Sequence, residues 1–248
     1  GHAAGELASA IAVATVADLD THPPATSEVL TALGDSIADV GDAIAAVISD
    51  EPDLTGMGTT VTGLYWAGPR LAVVHVGDSR AYLLRDGELQ QLTKDHTFVQ
   101  SLVDAGQITK EQAAVHPRRN LMMRAIDGIH AVEVDYSVRE AKTGDRFLLC
   151  SDGLCGVLED DAIATLAATD DLVNAVSQLI DATLDAGAPD NITVVVADIV
   201  DGGEEADAVV LGAAAESDTH ARLPGVELPE EPQVAATETQ PELISHRT

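Results

Sequence analysis

Residues 71–84 read LAVVHVGDSRAYLL, two apolar and partly β-branched runs on either side of a Gly-Asp-Ser turn. A similar run, 59–67, comes just before this stretch, and Asp86-Gly87 separates it from another run at 88–92. Short apolar runs joined by tight turns are typical of antiparallel strands that follow one another in a sheet. We therefore predict a meander of four strands over residues 59–92.

Helices and further strands are predicted on both sides of this meander. Apolar residues at helical spacing predict a helix over Glu6–Asp20 and another from Thr26 or Ser27 to about Ser49. The polar segment 95–128 is expected to hold two short helices. The remaining elements come after it: strands at 131–136 and 145–150, helices at 160–167 and 172–186, and an apolar strand at 191–200 that is expected to be buried on both faces.

The composition excludes several classes of protein. The chain has 248 residues, with 13 Lys and Arg against 42 Asp and Glu, which gives a formal charge of −29. Basic residues hold phosphate backbones and anionic lipids, so this charge argues against a nucleic-acid binder and against docking on an acidic membrane. Two cysteines are too few for a disulfide framework, and the uncharged run at 208–215 is too short to form a membrane segment.

The last part of the chain differs from the rest. Residues 201–248 carry eleven acidic residues against Arg222 and Arg247, four of the ten prolines and no aromatic residue. A segment of this composition buries too little apolar surface to offset the entropy of ordering. We predict a single domain over residues 1–200, followed by an acidic disordered tail or linker over 201–248.

Three aspartates lie where an apolar run meets a turn: Asp78, Asp152 and Asp190. Aspartate favours turns in general, which accounts for any one of them alone. Strand ends can meet in a sheet, however, and clustered carboxylates are stable mainly when a cation neutralises them. Oxygen ligands without His or Cys indicate Mg²⁺, Mn²⁺ or Ca²⁺, and such ions can activate water for attack on a phosphoryl group.

Three sequence blocks carry a resemblance to a known family. They are VGDSR at 76–80, LCSDGL at 149–154 and APDNITV at 188–194. They resemble the conserved blocks of the metal-dependent protein phosphatases, the type 2C Ser/Thr phosphatases. The strand entry GMGTT at 56–60 and the flap-like segment with NLMMRA at 120–125 are similar as well. The likeness spans residues 1 to about 200 and is greatest to the actinobacterial phosphatase that opposes eukaryotic-type Ser/Thr kinases.

This resemblance implies a fold and a set of metal ligands. The family fold is α+β, an antiparallel β-sandwich flanked by helix pairs in four αββα layers. The resemblance implies that Asp152 and Asp190 ligate one ion of a catalytic Mn²⁺ or Mg²⁺ pair. It also implies that Asp78 and Asp152 hold a third, weaker ion, and that Asn191 supports Asp190 from behind. In the family, water between the two ions attacks the phosphorus directly, without a phosphoenzyme.

Two departures from the family pattern matter. Family members carry N-terminal strands with a phosphate-binding Arg and an Asp-Gly whose carboxylate bridges both metals, and we expect these strands to precede Gly1 in a longer parent. The family often has an aspartate at the position of Gly156, which would help the third ion. We therefore expect the metal site of this chain to be incomplete, and its activity to depend on residues upstream.

Several residues outside the three blocks are candidates for substrate binding. His2 and His116 are candidate proton donors to the leaving group. Arg118 and Arg119 belong to the densest basic cluster of this acidic chain, which would suit binding of a phosphopeptide. An ordinary solvated surface is the alternative for both arginines.

These observations lead to a functional prediction with two alternatives. We expect a domain that hydrolyses phosphoserine and phosphothreonine on proteins, including Ser/Thr kinases, by metal-activated water. It would be cytoplasmic, in a parent that is anchored in the membrane outside this chain. One alternative is a catalytically inactive phosphatase-like module that binds phosphoproteins. The other is a phosphatase of the same fold that acts on anti-sigma-factor antagonists.

Overall fold

The structure is a computed structural model that describes residues 4–67 and 70–201. The predicted acidic tail therefore lies, from residue 202 onward, outside the described residues. The helices are α1 (Gly5–Val16), α2 (Asp18–Thr21), α3 (Val29–Asp50), α4 (Phe98–Asp104), α5 (Lys110–Ala114), α6 (Asp152–Cys155), α7 (Asp160–Ala167) and α8 (Leu172–Asp185), with a 3₁₀ turn at Pro52–Leu54. The strands are β1 (Val61–Ala67), β2 (Arg70–Val76), β3 (Arg80–Arg85), β4 (Glu88–Gln91), β5 (Asp135–Glu140), β6 (Arg146–Cys150) and β7 (Val194–Asp198).

The strands form two antiparallel sheets. One sheet has the order β1-β2-β5, and the other has the order β4-β3-β6-β7. The predicted meander is thus divided: β1 and β2 pair in the first sheet, while β3 and β4 pair in the second. The Gly77-Asp78-Ser79 turn is the place where the chain passes from one sheet to the other.

Apolar residues at every second position of the strands form the core between the two sheets. Leu71 and Val73 of β2 pack in one cluster with Ala81 and Leu83 of β3 and with Phe147 of β6. These residues are two apart on each strand, so they point to the same face. The first sheet therefore lies face to face with the second, as in a β-sandwich.

The opposite face of the second sheet is covered by helices. Tyr82 and Leu148 alternate with the inter-sheet residues and pack against Leu154 of α6, Ile163 of α7 and Leu179 of α8. All five are at most 1% exposed. This cluster fixes α6, and with it Asp152, against the end of β6.

The outer face of the first sheet is covered by α3. Buried residues recur along α3 at intervals of three or four, from Val29 to Ile44, which gives the helix one apolar stripe. Tyr136 of β5 reaches so close to this helix that a Cβ at Gly34 would lie 2.7 Å from its hydroxyl. The four αββα layers expected from the family resemblance are therefore present. Among the described residues, no helix is long and apolar enough to cross a membrane.

The prediction of a strand at 131–136 is wrong, because the strand in this region, β5, is Asp135–Glu140. β5 pairs with β2 so that Ser137 lies opposite Val73 and Arg139 lies opposite Leu71. The two residues that face the sandwich interior are thus polar, and the apolar residues of β5, Tyr136 and Val138, lie on the other face. Apolar and polar residues alternate without a break from Val132 to Val138, so the pattern does not mark where the strand begins.

The closing strand is shorter and more exposed than predicted. β7 covers Val194–Asp198 instead of 191–200, and it is the last strand in the order of its sheet. Val194 and Val196 pack toward the helices, whereas Val195 is 52% exposed. The expectation of burial on both faces is wrong, because the described residues provide no layer over the other face of β7.

The predicted helix over Glu6–Asp20 is interrupted, at Ala17, into α1 and α2. Ala17 keeps helical backbone angles, with φ −60° and ψ −21°, so the interruption is slight. The two short helices predicted within 95–128 are present as α4 and α5.

Candidate metal-binding site

The ends of three neighbouring strands bring the three aspartates to one end of the second sheet. Arg80, the first residue of β3, lies opposite Cys150, the last residue of β6. Cys150 in turn lies opposite Val194, the first residue of β7. Asp78 precedes β3, Asp152 follows β6 and Asp190 precedes β7, so antiparallel pairing places all three beyond the same row of residues. We call this the carboxylate end of the sheet.

Hydrogen bonds join the turn that carries Asp152 to the segment that carries Asp190. Ser151 Oγ donates to the Asn191 carbonyl at 3.1 Å and accepts from the Thr193 amide at 3.0 Å. The Ser151 amide donates to the Thr193 carbonyl at 3.0 Å. Gly153 is required here, because a Cβ at this position would lie 2.2 Å from the Asn191 carbonyl oxygen. The Ser-Asp-Gly sequence thus serves a close approach of two backbones.

The turn that carries Asp78 is attached to β1. Thr62 Oγ1 donates to the Ser79 carbonyl at 3.0 Å, and the Thr60 and Ser79 hydroxyls lie 2.9 Å apart. On the other side, the Cys155 sulfur lies 3.9 Å from the Asp78 carbonyl oxygen and 3.4 Å from the Ser151 carbonyl oxygen. The Asp78 backbone therefore lies between the first sheet and helix α6.

The carboxylate end carries negative charge that the protein does not neutralise. Partial burial raises the pKa of Asp78 to about 6, and the nearby charge of Asp152 adds to this effect. Burial raises the pKa of Asp152 as well, and the charge of Asp190 adds to this effect. Both shifts mean that the charged forms are disfavoured in this place, which is the expected behaviour of a carboxylate cluster without its cation.

The nearest arginine is already engaged by another aspartate. Arg80 Nε lies 2.9 Å from Asp95 Oδ1, and one terminal nitrogen of Arg80 lies 2.7 Å from Asp95 Oδ2. The other terminal nitrogen donates to the Tyr82 hydroxyl at 3.1 Å. The negative charge of Asp95 also helps to raise the pKa of Asp78. Arg80 is thus bound in a bidentate pair with Asp95, and its charge offsets only part of the effect of burial and of the neighbouring aspartates on the pKa of Asp78.

The donor set fits a hard divalent cation in type and charge. Carboxylate oxygens are the ligands that Mg²⁺ and Mn²⁺ prefer, and a cation would stabilise the charged forms that burial and, secondly, like charge disfavour. Within the described residues, no group of three or more His, Cys, Asp or Glu side chains is arranged closely enough to enclose an ion. The three aspartates thus lie at one end of the sheet without enclosing an ion by themselves.

Asn191 and Gly156 contact the aspartates through their backbones. The Asn191 amide donates to Asp190 Oδ1 at 2.8 Å, and no hydrogen bond within the described residues involves the Asn191 side chain. The Gly156 amide donates to the Asp152 carbonyl at 2.7 Å, and a Cβ at Gly156 would lie 2.6 Å from the same oxygen. A larger residue at position 156 would therefore require α6 to move.

The candidate substrate-binding residues form a separate group beside α4. His116 Nδ1 accepts from the Arg118 amide at 3.1 Å, and the His116 ring lies 6.1 Å from the Phe98 ring. The Arg118 guanidinium lies 5.8 Å from the centre of the Phe98 ring, and Arg119 is exposed. Among the described residues, no hydrogen bond or ion pair joins His116, Arg118 or Arg119 to the three aspartates. His2 lies outside the described part of the chain.

Sequence reasoning missed four residues that surround the carboxylate end: Arg80, Asp95, His96 and Cys155. Asp95 and His96 are adjacent in the polar segment after β4, where only the Asp-His pair distinguishes them from an ordinary loop. A cavity of about 620 Å³ lies at the opposite end of the second sheet, where Asp86, Gly144 and Asp198 are among its lining residues. Neither the three aspartates nor the four residues named above line this cavity.

Comparison with known proteins agrees with the sequence blocks. The family model described as "Protein phosphatase 2C" matches residues 1–195. The chain is 52% identical over 201 residues to the serine/threonine protein phosphatase PstP of Mycobacterium tuberculosis, which covers 81% of this chain and 39% of that protein. It is 38% identical over 198 residues to the serine/threonine phosphatase stp of Listeria monocytogenes, covering 78% of this chain and 79% of the relative.

Solved structures have the same fold. The crystal structure of M. tuberculosis PstP/Ppp superposes with a TM-score of 0.77 at 50% identity, covering 81% of this chain and 85% of that one. The structure of the PstP catalytic domain in complex with two manganese ions gives a TM-score of 0.75 at 50% identity, covering 81% and 84%. The family match spans well over half of the sequence, and so the chain belongs to the protein phosphatase 2C family.

Proposed function

We propose that this chain is a metal-dependent phosphatase domain that hydrolyses phosphoserine and phosphothreonine on proteins. The observation that carries the proposal is the uncompensated carboxylate end, where Asp78 and Asp152 both have raised pKa values. The names of the relatives support the same reaction, and one relative binds two manganese ions. The chain spans 39% of the length of the PstP relative, so its substrates and partners are part of the proposal.

Each aspartate has a proposed role. Asp152 and Asp190 would hold one cation of the catalytic pair, since the Ser151 and Asn191 contacts fix their backbones side by side. Asp78, together with Asp152, would hold a third, weaker ion. Bound Mn²⁺ or Mg²⁺ supplies Lewis acidity toward a phosphoryl oxygen and makes water nucleophilic at neutral pH.

The protein would also bind the substrate and supply a proton. Without cations, the carboxylate end repels phosphate, so substrate binding requires the charge at this end to be inverted. Arg118 and Arg119 carry no ion pair with other described residues and would attract a phosphopeptide. His116, which is partly exposed, would donate a proton to the leaving alcohol.

We also propose the context in which this domain acts. Phosphorylated proteins, including Ser/Thr kinases, would be its substrates, because phosphoserine and phosphothreonine are the products of those enzymes. Kinases consume ATP, so the domain would act in the cytoplasm. Residues 1–200 would form the phosphatase domain, and 201–248 would be a flexible linker to the rest of a membrane-anchored parent.

The test is hydrolysis of p-nitrophenyl phosphate and of a phosphothreonine peptide, with Mn²⁺ and with a chelator. In a chain extended at its N-terminus, we expect turnover that requires Mn²⁺ and that is lost in Asp190→Asn, because an amide is a neutral and weaker ligand. Asp185→Asn, at the exposed end of α8, is the matched control and should retain activity. Activity of Asp190→Asn equal to that of the parent would contradict the ligand assignment.

One observation favours a second candidate, a phosphoprotein-binding module without catalysis. No described group of three ligating side chains encloses an ion, and an incomplete site could bind without turning over. A chain extended at its N-terminus distinguishes the two functions. Mn²⁺-dependent turnover in either chain supports the phosphatase, whereas peptide binding without turnover in both chains supports the binding module.

A further inference from the structure

His96 holds the turn that carries Asp78 by two hydrogen bonds. The Gly77 amide donates to His96 Nδ1 at 3.0 Å, and the His96 amide donates to the Gly77 carbonyl at 2.7 Å. Both polar groups of Gly77 are thus bonded to the same residue. His96 is 8% exposed, so water does not compete effectively for these bonds.

The turn needs such a hold because its backbone is unusual. Gly77 has φ +116°, a left-handed value that residues with side chains rarely adopt. A Cβ at Gly77 would lie 2.3 Å from the Thr60 side chain, so the backbone passes directly against β1. Glycine has more freedom than other residues, and an unheld turn would let Asp78 take several positions.

The hydrogen bonds fix the tautomer of His96. A backbone N–H can only donate, so Nδ1 must be the unprotonated nitrogen that accepts from Gly77. The proton is then on Nε2, which donates to Asp135 Oδ2 at 3.1 Å. A terminal nitrogen of Arg124 lies 3.3 Å from Nε2, and in this tautomer it makes no hydrogen bond to the ring, since both groups are donors. Asp135 Oδ1 accepts from Arg124 at 3.0 Å, which holds the carboxylate in place. Nδ1 is thus kept free of its proton by a partner on the opposite side of the ring.

The ring is also held by its neighbours. His75 packs against it, with the ring centres 4.7 Å apart, and burial lowers the pKa of His75 and favours its neutral form. His75 Nε2 donates to the Lys94 carbonyl at 3.0 Å, and its Nδ1 lies 2.9 Å from Thr62 Oγ1. The His96 carbonyl accepts from the Met123 amide at 2.7 Å, which joins the flap segment to the same residue.

We propose that His96 is a positioning residue, whose unprotonated Nδ1 holds the Gly77 amide and thereby fixes Asp78 for cation binding. This inference rests on the proposed role of Asp78 as a metal ligand. An apolar side chain could fill the same space but would leave the Gly77 amide buried without a hydrogen-bond partner, which destabilises the turn. The proposed role therefore depends on Nδ1 of His96, and two variants can distinguish it from a role of the ring in packing.

The experiment compares His96→Asn with His96→Gln. The Asn side-chain oxygen lies near the position of Nδ1 and can still accept from Gly77, whereas the Gln amide lies near Nε2 and can only replace the bond to Asp135. We expect hydrogen exchange of the Gly77 amide to rise about fivefold to tenfold in His96→Gln and to change little in His96→Asn. Mn²⁺ affinity, measured by calorimetry, should fall at least about tenfold in His96→Gln alone.

A measurement on the unaltered chain covers the case in which neither variant folds. Nitrogen NMR of the histidines should show His96 as the neutral Nε2–H tautomer at neutral pH. A proton on Nδ1, or equal Gly77 exchange in the two variants, would overturn the proposal. Exchange is measured without metal, so the expected exchange pattern supports the hold on Gly77 independently of Mn²⁺ binding. Absence of Mn²⁺ binding both in this chain and in one extended at its N-terminus would contradict the proposed phosphatase function.

Discussion

The acidic residues at the two ends of the β3-β6-β7 ladder differ in whether an arginine pairs with them. At the end where β6 begins, Asp145 accepts two hydrogen bonds of 2.6 Å from Arg85, and Arg146 pairs with Asp198 at 2.6 Å. We call this the arginine end. At the carboxylate end, the three aspartates have no such partner among the described residues.

This contrast separates acidic residues that stabilise the fold from acidic residues that can bind a cation. Bonding to Arg85 lowers the pKa of Asp145, whereas burial and like charge raise that of Asp78. The same three strands carry both groups, so the difference comes from the neighbours and not from the fold. An aspartate whose charge is left uncompensated reduces stability, and cation binding would reverse this effect.

The largest effect is expected at the arginine end, in Arg146→Ala. All five N–H groups of Arg146 are used, on Asp198 and on the carbonyls of Ala167, Thr169 and Asp170. Removing it leaves Asp198 and the end of α7 without partners, and we expect a loss of about 3–5 kcal/mol in the free energy of unfolding in urea. Arg70→Ala, at an exposed position, is the control, and an equal loss in both variants would contradict this account.

Asp152→Asn should have the opposite profile, with activity lost and stability kept. We expect Mn²⁺-dependent hydrolysis to fall at least about 100-fold, while the urea midpoint stays the same or rises, because a repelled charge has been removed. Measuring both quantities on one preparation sharpens the comparison. A variant that loses stability instead would place Asp152 with the structural aspartates.

The pH dependence of stability should differ in sign between Asp78 and Asp145. The pKa of Asp78 rises from its ordinary value of 3.8 to about 6, so the folded state keeps a proton that the unfolded chain has already released. In metal-free buffer, Asp78 should therefore reduce stability by about 1–3 kcal/mol as pH rises from about 4 to about 6. For Asp145, whose pKa is lowered, the contribution is present above pH 3.8 and is lost as pH falls.

Thermal unfolding of the parent and of Asp78→Asn across this pH range measures the difference. The variant should be the more stable protein above pH 6, and Mn²⁺ should stabilise the parent more than the variant. If the two stability curves are parallel over pH 4–6, Asp78 is not in the environment described above.

The smallest effect is expected for Arg85→Lys. A lysine keeps the charge beside Asp145 but cannot form the two parallel hydrogen bonds of the guanidinium. The Arg85 side chain is 31% exposed, so we expect a loss of only about 1 kcal/mol in the free energy of unfolding. A loss as large as that of Arg146→Ala would mean that exposure does not distinguish the two pairs.

The sequence was sufficient to predict the strands beside which the three aspartates lie. Asp78, Asp152 and Asp190 each lie beside an apolar run, and the runs became β2, β6 and β7. The order of strands in the sheet was not predictable from these runs, since nothing local specifies that β6 pairs with both β3 and β7. The convergence of the three aspartates depends on that order.

Residues that act through tertiary contacts were the ones that sequence reasoning missed. His96 lies in a polar segment whose local pattern is that of a loop, and its bond to Gly77 spans 19 residues. β5 was placed too early because apolar residues alternate with polar ones from Val132 onward, whereas pairing with β2 begins only at Asp135. In each case the partner that explains the residue is distant in sequence, and single-sequence patterns describe only near neighbours.

The position of β7 has a mechanical consequence. This strand begins four residues after Asp190 and ends three residues before residue 201, and it is paired on one side only within the described chain. Tension applied from beyond residue 201 would therefore load a single ladder of hydrogen bonds before any other part of the sheet. Pulling the chain from its C-terminal side should peel β7 from β6 and displace Asp190 at low force, while the inter-sheet core remains intact.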